Sequence, residues 1–388
     1  MKKSTIRKTS ALILATVLLL LCGCKDHSDI ETDIFVAGFA IDEAENKNYR
    51  YKVSAEVITT ASSGDSANIE TKVISAEGDT VLEALNTMVS ESSKKLYFDH
   101  CQIMILGEKV AEKNLIDVLD LAFRDTNLRL SMKVLVAKNC KAYEILDSNS
   151  VVNIIKSYEI SETVKINSDG IGFASDTAIY SLLNQLNELA QSGTAPAFTI
   201  KDDVSEEKMN ILQGCAVFKN DKLAGFMENK QSQFCLMAMG EFNSGTISCY
   251  IPSHDQLMSI DINNCSRKIK TNIDSGFAEV NLDFKMEISL PEIPSKLSVK
   301  DPLESSVVQK DISNYIEQNV YCVITDTINR YEAEIFGFSS KLQAQQRDFC
   351  KKNQDRWNEI IKNLKISVNC QVKIKNSGTT NDKIYKGN

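Results

Sequence analysis

The sequence predicts an α+β protein with a three-domain mixed α/β body, in which a long helix of the C-terminal domain is covered by an antiparallel sheet. Strand and helix patterns alternate over residues 34–137, apolar and polar residues alternate strictly over 280–290, and apolar residues recur along one side of a helix over about 301–335. The predicted division is 1–23, a signal peptide that is removed; 24–194, an N-terminal α+β domain; 195–255, a small middle α+β domain; and 256–388, a C-terminal α+β domain.

The first residues are typical of an export signal that ends at a lipidated cysteine. Basic residues precede an apolar run over 11–21, which is too short to span a bilayer stably. Gly23 is small and directly precedes Cys24, as in the lipobox of bacterial lipoproteins, so we expect cleavage after Gly23 and a diacylglyceryl group on Cys24. Cys22 fits less well because Leu21 would occupy the position that must be small. The alternative is an ordinary secreted protein whose signal happens to end in cysteine.

The predicted N-terminal domain mixes strands with helices. The apolar run over 34–41 is nearly continuous, as in a strand covered on both faces, whereas residues 51–57 alternate as in a half-exposed strand. Thr80 and Glu83 fit the capping box of a helix. The pattern then predicts a strand at 102–106, a helix at 115–123, a strand at 132–137 and mostly helix over 141–193. The order strand, helix, strand predicts a crossover with parallel pairing.

The predicted middle domain begins with a hairpin. Residues 214–218 and 223–227 are short apolar runs on either side of the polar turn at 219–222. A helix at 234–240 and a strand at 246–251 follow.

The predicted C-terminal domain combines two amphipathic strands with the long helix. Residues 280–290 and 366–374 each present one apolar and one polar face. Asp301, Pro302 and Glu304 stand in the order of an N-cap, a first helical residue and a capping-box acid, so we expect the long helix to begin there. A helix of that length needs cover, which the amphipathic strands can supply.

The charge of the chain is negative and unevenly distributed. The formal net charge is −8, whereas residues 341–388 carry eleven Lys and Arg against four Asp and Glu, a net of +7. An acidic body that is exported excludes a nucleic-acid-binding role. The basic end is typical either of a surface that meets anionic lipid or an acidic partner, or simply of a solvated helix face and strand.

The sequence carries no constellation typical of catalysis or metal binding. The three histidines, His27, His100 and His254, are far apart, and transition-metal sites need clustered ligands. The triplet 64–66 is Gly-Asp-Ser and the stretch 92–95 matches Ser-x-x-Lys, but the partner motifs of both enzyme classes are missing. We therefore predict a protein without a metal, a cofactor or an enzymatic activity.

Three stretches, in order along the chain, resemble the Ger(x)C family of spore germination lipoproteins. The first is Gly23-Cys24-Lys25-Asp26, followed by the apolar strand that ends in Gly38-Phe39-Ala40-Ile41-Asp42. The second is Lys95-Leu96-Tyr97-Phe98-Asp99-His100, with Ile103-Met104-Ile105-Leu106-Gly107-Glu108 after it. The third is Glu334-Ile335-Phe336-Gly337-Phe338, with Trp357 and Lys373-Ile374-Lys375 after it.

The resemblance implies the C subunit of a GerA-type nutrient germinant receptor, held by its lipid on the outer face of the spore inner membrane. It also implies assembly with two membrane-embedded subunits, of the A and B types, and a role in assembly and signalling without an established catalytic activity. Cys24 takes its role as the lipidated residue from the resemblance. Asp99, His100 and Trp357 are candidate partner contacts, although packing in the core is the first expectation for Trp357.

Two other classes of protein stay open on the sequence alone. One is an extracytoplasmic substrate-binding lipoprotein of a transporter, which would have two similar lobes joined by a hinge around a polar cleft. The other is an enzyme such as a cell-wall hydrolase. The chain divides instead into unlike segments, which favours the receptor subunit.

Overall fold

The computed structural model of the chain describes residues 33–376, except 64–65, 93, 114, 125–127, 151, 203–206 and 293–301. These residues form two β-sheets and eleven α-helices. The first part of the chain contains β1 (Asp33–Glu43), β2 (Tyr51–Ser63), β3 (Ser66–Gly78), α1 (Val81–Ser92), β4 (Lys95–Tyr97), β5 (Ile103–Leu106), α2 (Glu108–Lys113), α3 (Leu115–Arg124), β6 (Lys133–Ala137), α4 (Ala142–Leu146), α5 (Lys156–Ile166), α6 (Ile179–Asn187), β7 (Ser192–Asp202), β8 (Lys208–Lys219) and β9 (Lys222–Met227). The second part contains α7 (Asn229–Met239), β10 (Gly245–Ile251), β11 (Gln256–Asp274), β12 (Phe277–Ser289), α8 (Pro302–Tyr331), α9 (Phe338–Gln345), α10 (Arg347–Lys352), α11 (Trp357–Lys362) and β13 (Lys365–Asn376).

The first sheet has nine strands and a parallel centre. Its order is β3-β2-β1-β5-β6-β7-β8-β9, and the short β4 pairs with the start of β1. The four central strands β1, β5, β6 and β7 are parallel to one another, whereas β2 and β3 at one side and β8 and β9 at the other are antiparallel to their neighbours. The predicted parallel pairing of the strands at 102–106 and 132–137 is therefore confirmed, and α2 and α3 form the crossover between them.

Helices cover both faces of the first sheet. Helices α1, α2, α3 and α6 pack their apolar residues on one face, while α4 and α5 pack on the other. Strand β1 is consequently buried from both sides, as its continuous apolar run predicts: Val36 and Ala40 are fully buried. The sheet also continues across residues 194 and 195, because β7 pairs with both β6 and β8. The three-domain division of the chain stays a prediction.

The second sheet has the order β10-β11-β12-β13, and α8 lies against it. The long helix predicted over about 301–335 is present as a helix of 30 residues that ends at Tyr331. Its buried side, which includes Ile312, Ile316 and Val320, packs into one core with the apolar face of β12. Helix and sheet thus bury each other's apolar residues, as the amphipathic patterns predict.

The covering sheet is antiparallel, as predicted, except at its last pair of strands. Strands β10, β11 and β12 are antiparallel, but β13 runs parallel to β12, with Val280 opposite Ile366 and Phe284 opposite Cys370. A parallel pair needs a long crossover connection, and helices α8 to α11 provide it. The alternating pattern of β13 shows which of its faces is buried but not the direction in which the strand runs.

The outer edge of β13 is covered by α8. The Cys370 amide donates a hydrogen bond to Glu317 Oε1 at 2.7 Å, and the Ile374 amide donates to Gln309 Oε1 at 3.2 Å. An edge strand otherwise presents unpaired amides to other chains. Side chains of the long helix therefore occupy hydrogen-bonding positions that a further strand would take.

The two sheets belong to one packed body. The Tyr331 hydroxyl, at the end of α8, donates to the Phe226 carbonyl of β9 at 2.7 Å. Lys219 Nζ, at the end of β8, donates to Asn358 Oδ1 of α11 at 3.2 Å. These bonds join strands of the first sheet to helices that cover the second.

Candidate functional site

Asp99 and His100 lie on the surface beside the first residues of β1. They follow β4, and the preceding Phe98 is buried with its ring 5.8 Å from that of Phe39, which fixes the loop to the core. The Tyr97 hydroxyl donates to the Asp99 carboxylate. His100 is exposed, and its ring centroid lies 5.9 Å from that of Phe35.

His100 belongs to a small cluster of aromatic rings, and Asp99 lies beside it. Phe35 packs edge-on against Tyr97 with ring centroids 5.4 Å apart, and the His100 ring also lies against Phe35. We call Phe35, Tyr97 and His100 the aromatic cluster. It brings the start of β1 together with the loop after β4, which are two of the stretches that carry the family resemblance.

Trp357 lies elsewhere, in the core of the second part. Its side chain is 4% exposed, and its indole Nε1 donates to Ser339 Oγ at 2.9 Å. The first expectation, packing in the core, therefore describes its environment. Because the indole is covered by its own chain, we leave Trp357 out of the proposed contact surface.

A second candidate site is a cleft of about 630 Å³ at the carboxyl ends of β1, β5 and β6. In open sheets with parallel strands, ligands commonly bind at this edge. Acidic residues dominate its lining, among them Asp42, Glu45, Glu108 and Glu144. Each of these carboxylates has a partner within the chain, including the Asn139 amide for Glu108 and Lys141 for Glu45. These acids hold the edges of the cleft together.

Asp42 is the most deeply buried acid of that cleft. Its two oxygens accept hydrogen bonds from the Ala142 and Tyr143 amides at 2.9 and 3.0 Å, so a residue of β1 caps the first turn of α4. Burial raises the pKa of the Asp42 carboxyl, while the two amides and Lys141 oppose the rise. Through these two hydrogen bonds, Asp42 joins the start of α4 to the carboxyl end of β1.

Glu334 plays a similar part at the start of α9. Its carboxylate is 3% exposed and accepts from the amides of Phe336, Phe338 and Ser339 at 2.8, 3.0 and 2.8 Å. Gly337, between the two phenylalanines, has the left-handed backbone that precedes α9, whereas the long helix itself ends before Glu332. The motif therefore begins the helix α9.

The described residues hold neither a cluster of metal ligands nor a membrane-spanning helix. Within the described parts of 33–376, no three His, Cys, Asp or Glu side chains come together as ligands for a metal ion. None of the helices in that part of the chain is both long and apolar enough to cross a bilayer. Gly23 and Cys24, the predicted cleavage and lipidation residues, lie outside the described residues.

Two known protein families together match most of the chain. Residues 26–200 match the family described as spore germination protein N-terminal domain. Residues 213–378 match the family described as spore germination B3/GerAC like, C-terminal. The chain belongs to the Ger(x)C family.

Individual Ger(x)C proteins support this assignment over nearly their whole length. Spore germination protein B3 of Bacillus subtilis (strain 168) is 24% identical over 373 residues, which cover 94% of this chain and 96% of that protein. Spore germination protein KC of the same strain is 21% identical over 396 residues, with coverage of 96% and 97%. The crystal structure of the GerBC protein superposes with a TM-score of 0.53 at 19% identity, over 87% of this chain and 96% of that one, which confirms the α+β fold.

The Ger(x)C blocks quoted from the sequence are largely structural in this chain. Asp42 ends the first block and Gly107 lies in the second, and the two lie side by side. Glu56 has a comparable role that the sequence analysis missed: it is fully buried in β2 and accepts from the Lys156 and Ser157 amides at 2.9 and 2.8 Å. Glu56 stands at a polar position of the alternating run over 51–57, in line with Lys52 and Ser54, so the local sequence does not distinguish it from an exposed acid.

Proposed function

We propose that the chain is a noncatalytic, lipid-anchored subunit of a nutrient germinant receptor that acts in the assembly and signalling of spore germination. It is attached through Cys24 to the outer face of the spore inner membrane. Its partners are two membrane-embedded subunits of the A and B types. The observation that carries this proposal is the pair of spore germination segments, 26–200 and 213–378, directly behind the lipobox at Gly23 and Cys24.

The described structure supports a role in binding rather than in catalysis. The carboxylates named in the cleft at the carboxyl ends of the parallel strands are engaged in helix caps, loops and ion pairs. The two sheets also differ in strand number and topology, unlike the two similar lobes of a substrate-binding lipoprotein. Asp99 and His100, on the surface at the start of β1, are the proposed contacts to the membrane-embedded subunits.

The test is an affinity purification of the tagged chain from detergent-solubilised dormant spore membranes, followed by mass spectrometry. We expect two polytopic germination subunits in the eluate and an acyl adduct on residue 24. The Cys24→Ala variant should leave the membrane fraction, whereas Cys22→Ala, which lies within the removed signal, should remain. Recovery of a permease and an ATPase, or membrane attachment of Cys24→Ala, would contradict the proposal.

A further inference from the structure

Several chain segments meet at one end of the first sheet, the end at which β1 begins. Since β1, β5 and β6 are parallel, α3 must return along the sheet, so its last turn lies at the amino ends of these strands. Strand β3 is also parallel to β1 through β2, so α1 returns from the end of β3 to the start of β4. Helix α1 packs against both β4 and α3. We call this end of the sheet the amino end.

The amino end exposes aromatic and cationic side chains. The Phe123 side chain in the last turn of α3 is 67% exposed, and Tyr97 of the aromatic cluster is 38% exposed. Lys95, at the start of β4, and Arg129, in the connection from α3 to β6, are exposed on the same end. Exposed aromatic rings beside cations are typical of protein surfaces that lie at a membrane interface.

Two acidic residues at the amino end, Asp99 and Asp120, are engaged within the chain. Asp99 accepts a hydrogen bond from Tyr97, and Asp120 is paired with Arg124 on α3. These contacts reduce the negative potential that the two carboxylates would otherwise present to anionic lipid.

The position of this end in the chain indicates what covers it. Strand β1 starts at Asp33, nine residues after Cys24. A chain of that length reaches at most about 32 Å when fully extended, so a lipid on Cys24 keeps the amino end close to the bilayer. Because a short tether makes a second contact with the same bilayer effectively intramolecular, even weak interfacial contacts are populated. This step rests on the proposed lipidation of Cys24.

We propose that the amino end of the first sheet lies on the bilayer that holds the lipid. Tyr97 and Phe123 enter the interfacial region, while Lys95 and Arg129 face anionic headgroups. The parallel strands then point away from the membrane, and the cleft beside Asp42 faces the opposite direction. The aromatic cluster, with its histidine, lies at the level of the membrane surface, where parts of embedded subunits emerge.

The experiment uses the full lipidated chain on vesicles of phosphatidylcholine and phosphatidylglycerol that carry a spin label near the headgroup. Three variants place a tryptophan at a chosen exposed aromatic: Tyr97→Trp, Phe123→Trp and, as control, Tyr49→Trp. Tyr49 is 42% exposed in the connection from β1 to β2, at the far end of the same sheet. The native Trp357 is buried and contributes the same background to all three.

We expect the spin label to quench the tryptophan fluorescence of the Tyr97→Trp and Phe123→Trp variants at least about twofold more than that of the Tyr49→Trp control, because only the first two positions lie at the bilayer. Equal quenching of all three, or none while the acylated protein still floats with the vesicles, would overturn the proposal. The proposal would also be overturned if positions 97 and 123 became shielded from solvent only when the embedded subunits are present. The amino end would then be a contact surface for those subunits. Failure of the protein to carry an acyl group or to float tests the lipid anchor instead, so the two failures are distinguishable.

Discussion

The carboxylate of Asp42 lies beside Gly107, in the space that a Cβ at position 107 would occupy. A Cβ added at Gly107 would lie 2.4 Å from Asp42 Oδ1, well inside contact distance. The same oxygen accepts the Ala142 amide at the start of α4. Strand β1, the turn after β5 and helix α4 are therefore joined at a single point, and two separate family blocks depend on each other there.

Gly107→Ala should displace the Asp42 carboxylate and break its hydrogen bonds to α4. Bonds to a charged group contribute about 1.5–3 kcal/mol, so we expect the free energy of unfolding to fall by about 2 kcal/mol. Chemical denaturation of the soluble body measures this change. Gly170→Ala is the matched control, since a Cβ there would meet no atom within 4 Å. An unchanged stability of Gly107→Ala would show that Asp42 can move without cost.

Asp42 should also give the protein a characteristic dependence on pH. Its pKa in the folded chain is raised above the ordinary value of 3.8 because burial disfavours the charged form. The folded state therefore holds the proton more tightly than the unfolded state. The contribution of Asp42 to stability is complete below pH 3.8 and is lost as the pH rises through the folded-state pKa.

Asp42→Asn removes this titration, although it also changes the hydrogen bonds to α4 by a constant amount. We expect the stability of the wild type relative to Asp42→Asn to decrease as the pH rises above the ordinary carboxyl pKa of 3.8 and through the raised folded-state pKa. Unfolding curves of both proteins at several pH values give the difference. If the stability of the wild type relative to Asp42→Asn increased with pH, the Asp42 pKa would be lowered in the folded chain. The hydrogen bonds from the two amides would then affect this pKa more than burial does.

Glu334→Gln should destabilise the second part of the molecule. The buried carboxylate accepts three backbone amides, whereas a glutamine side chain can accept through only one oxygen and adds a donor. An unsatisfied buried amide costs about 1–3 kcal/mol, and we expect a loss of that size in thermal or denaturant unfolding. Glu332→Gln, which only breaks an exposed ion pair with Lys362, should change stability little. Equal effects of the two variants would contradict the assigned role of Glu334.

Glu317→Ala should uncover part of the β13 edge. The Cys370 amide would lose the acceptor that α8 supplies at 2.7 Å. We expect a loss of about 1–2 kcal/mol in stability and a greater tendency to associate at high concentration, measured by light scattering. Glu359→Ala, which removes an exposed partner of Arg356 on α11, is the control. Association that increases equally in both variants would point to the loss of charge as its cause.

His100→Ala should weaken co-purification of the embedded subunits while leaving the protein attached to the membrane. The reason is the exposed position of His100 beside Phe35, at the end of the sheet where β1 begins. His254→Ala is a suitable control because His254 lies after β10 in the second part, bonded to Ser253. Undiminished recovery of both subunits with His100→Ala would remove His100 from the contact surface.

The strongest sequence patterns predicted their elements well. The continuous apolar run of β1, the strict alternation of β12 and the apolar stripe of α8 all reflect burial, which is the main determinant of these patterns. Strand β11, over 19 residues, was not predicted. Its core-facing positions include Arg267, which donates to the Phe336 carbonyl at 3.0 Å, and this cation interrupts the apolar period.

The contacts around the candidate sites were beyond prediction from the sequence. Asp42 caps a helix one hundred residues further along the chain, and Glu56 does the same for α5. Such pairs depend on how the sheet brings distant segments together, so no local pattern shows them. Asp99 and His100 were identified by resemblance and lie on the surface, but their neighbour Phe35 became evident only from the pairing of β1 with β4.

The continuation of the first sheet across the two family segments affects how the chain acquires its structure. Strand β7 belongs to the first matched segment, whereas β8 and β9 belong to the second. If the chain is exported with its amino terminus first, the outer side of β7 is not completely paired until Lys219, the partner of Ser192, has followed. The amino-terminal half therefore depends on its successor for a finished edge, and an exported fragment that stops near residue 200 would be prone to self-association.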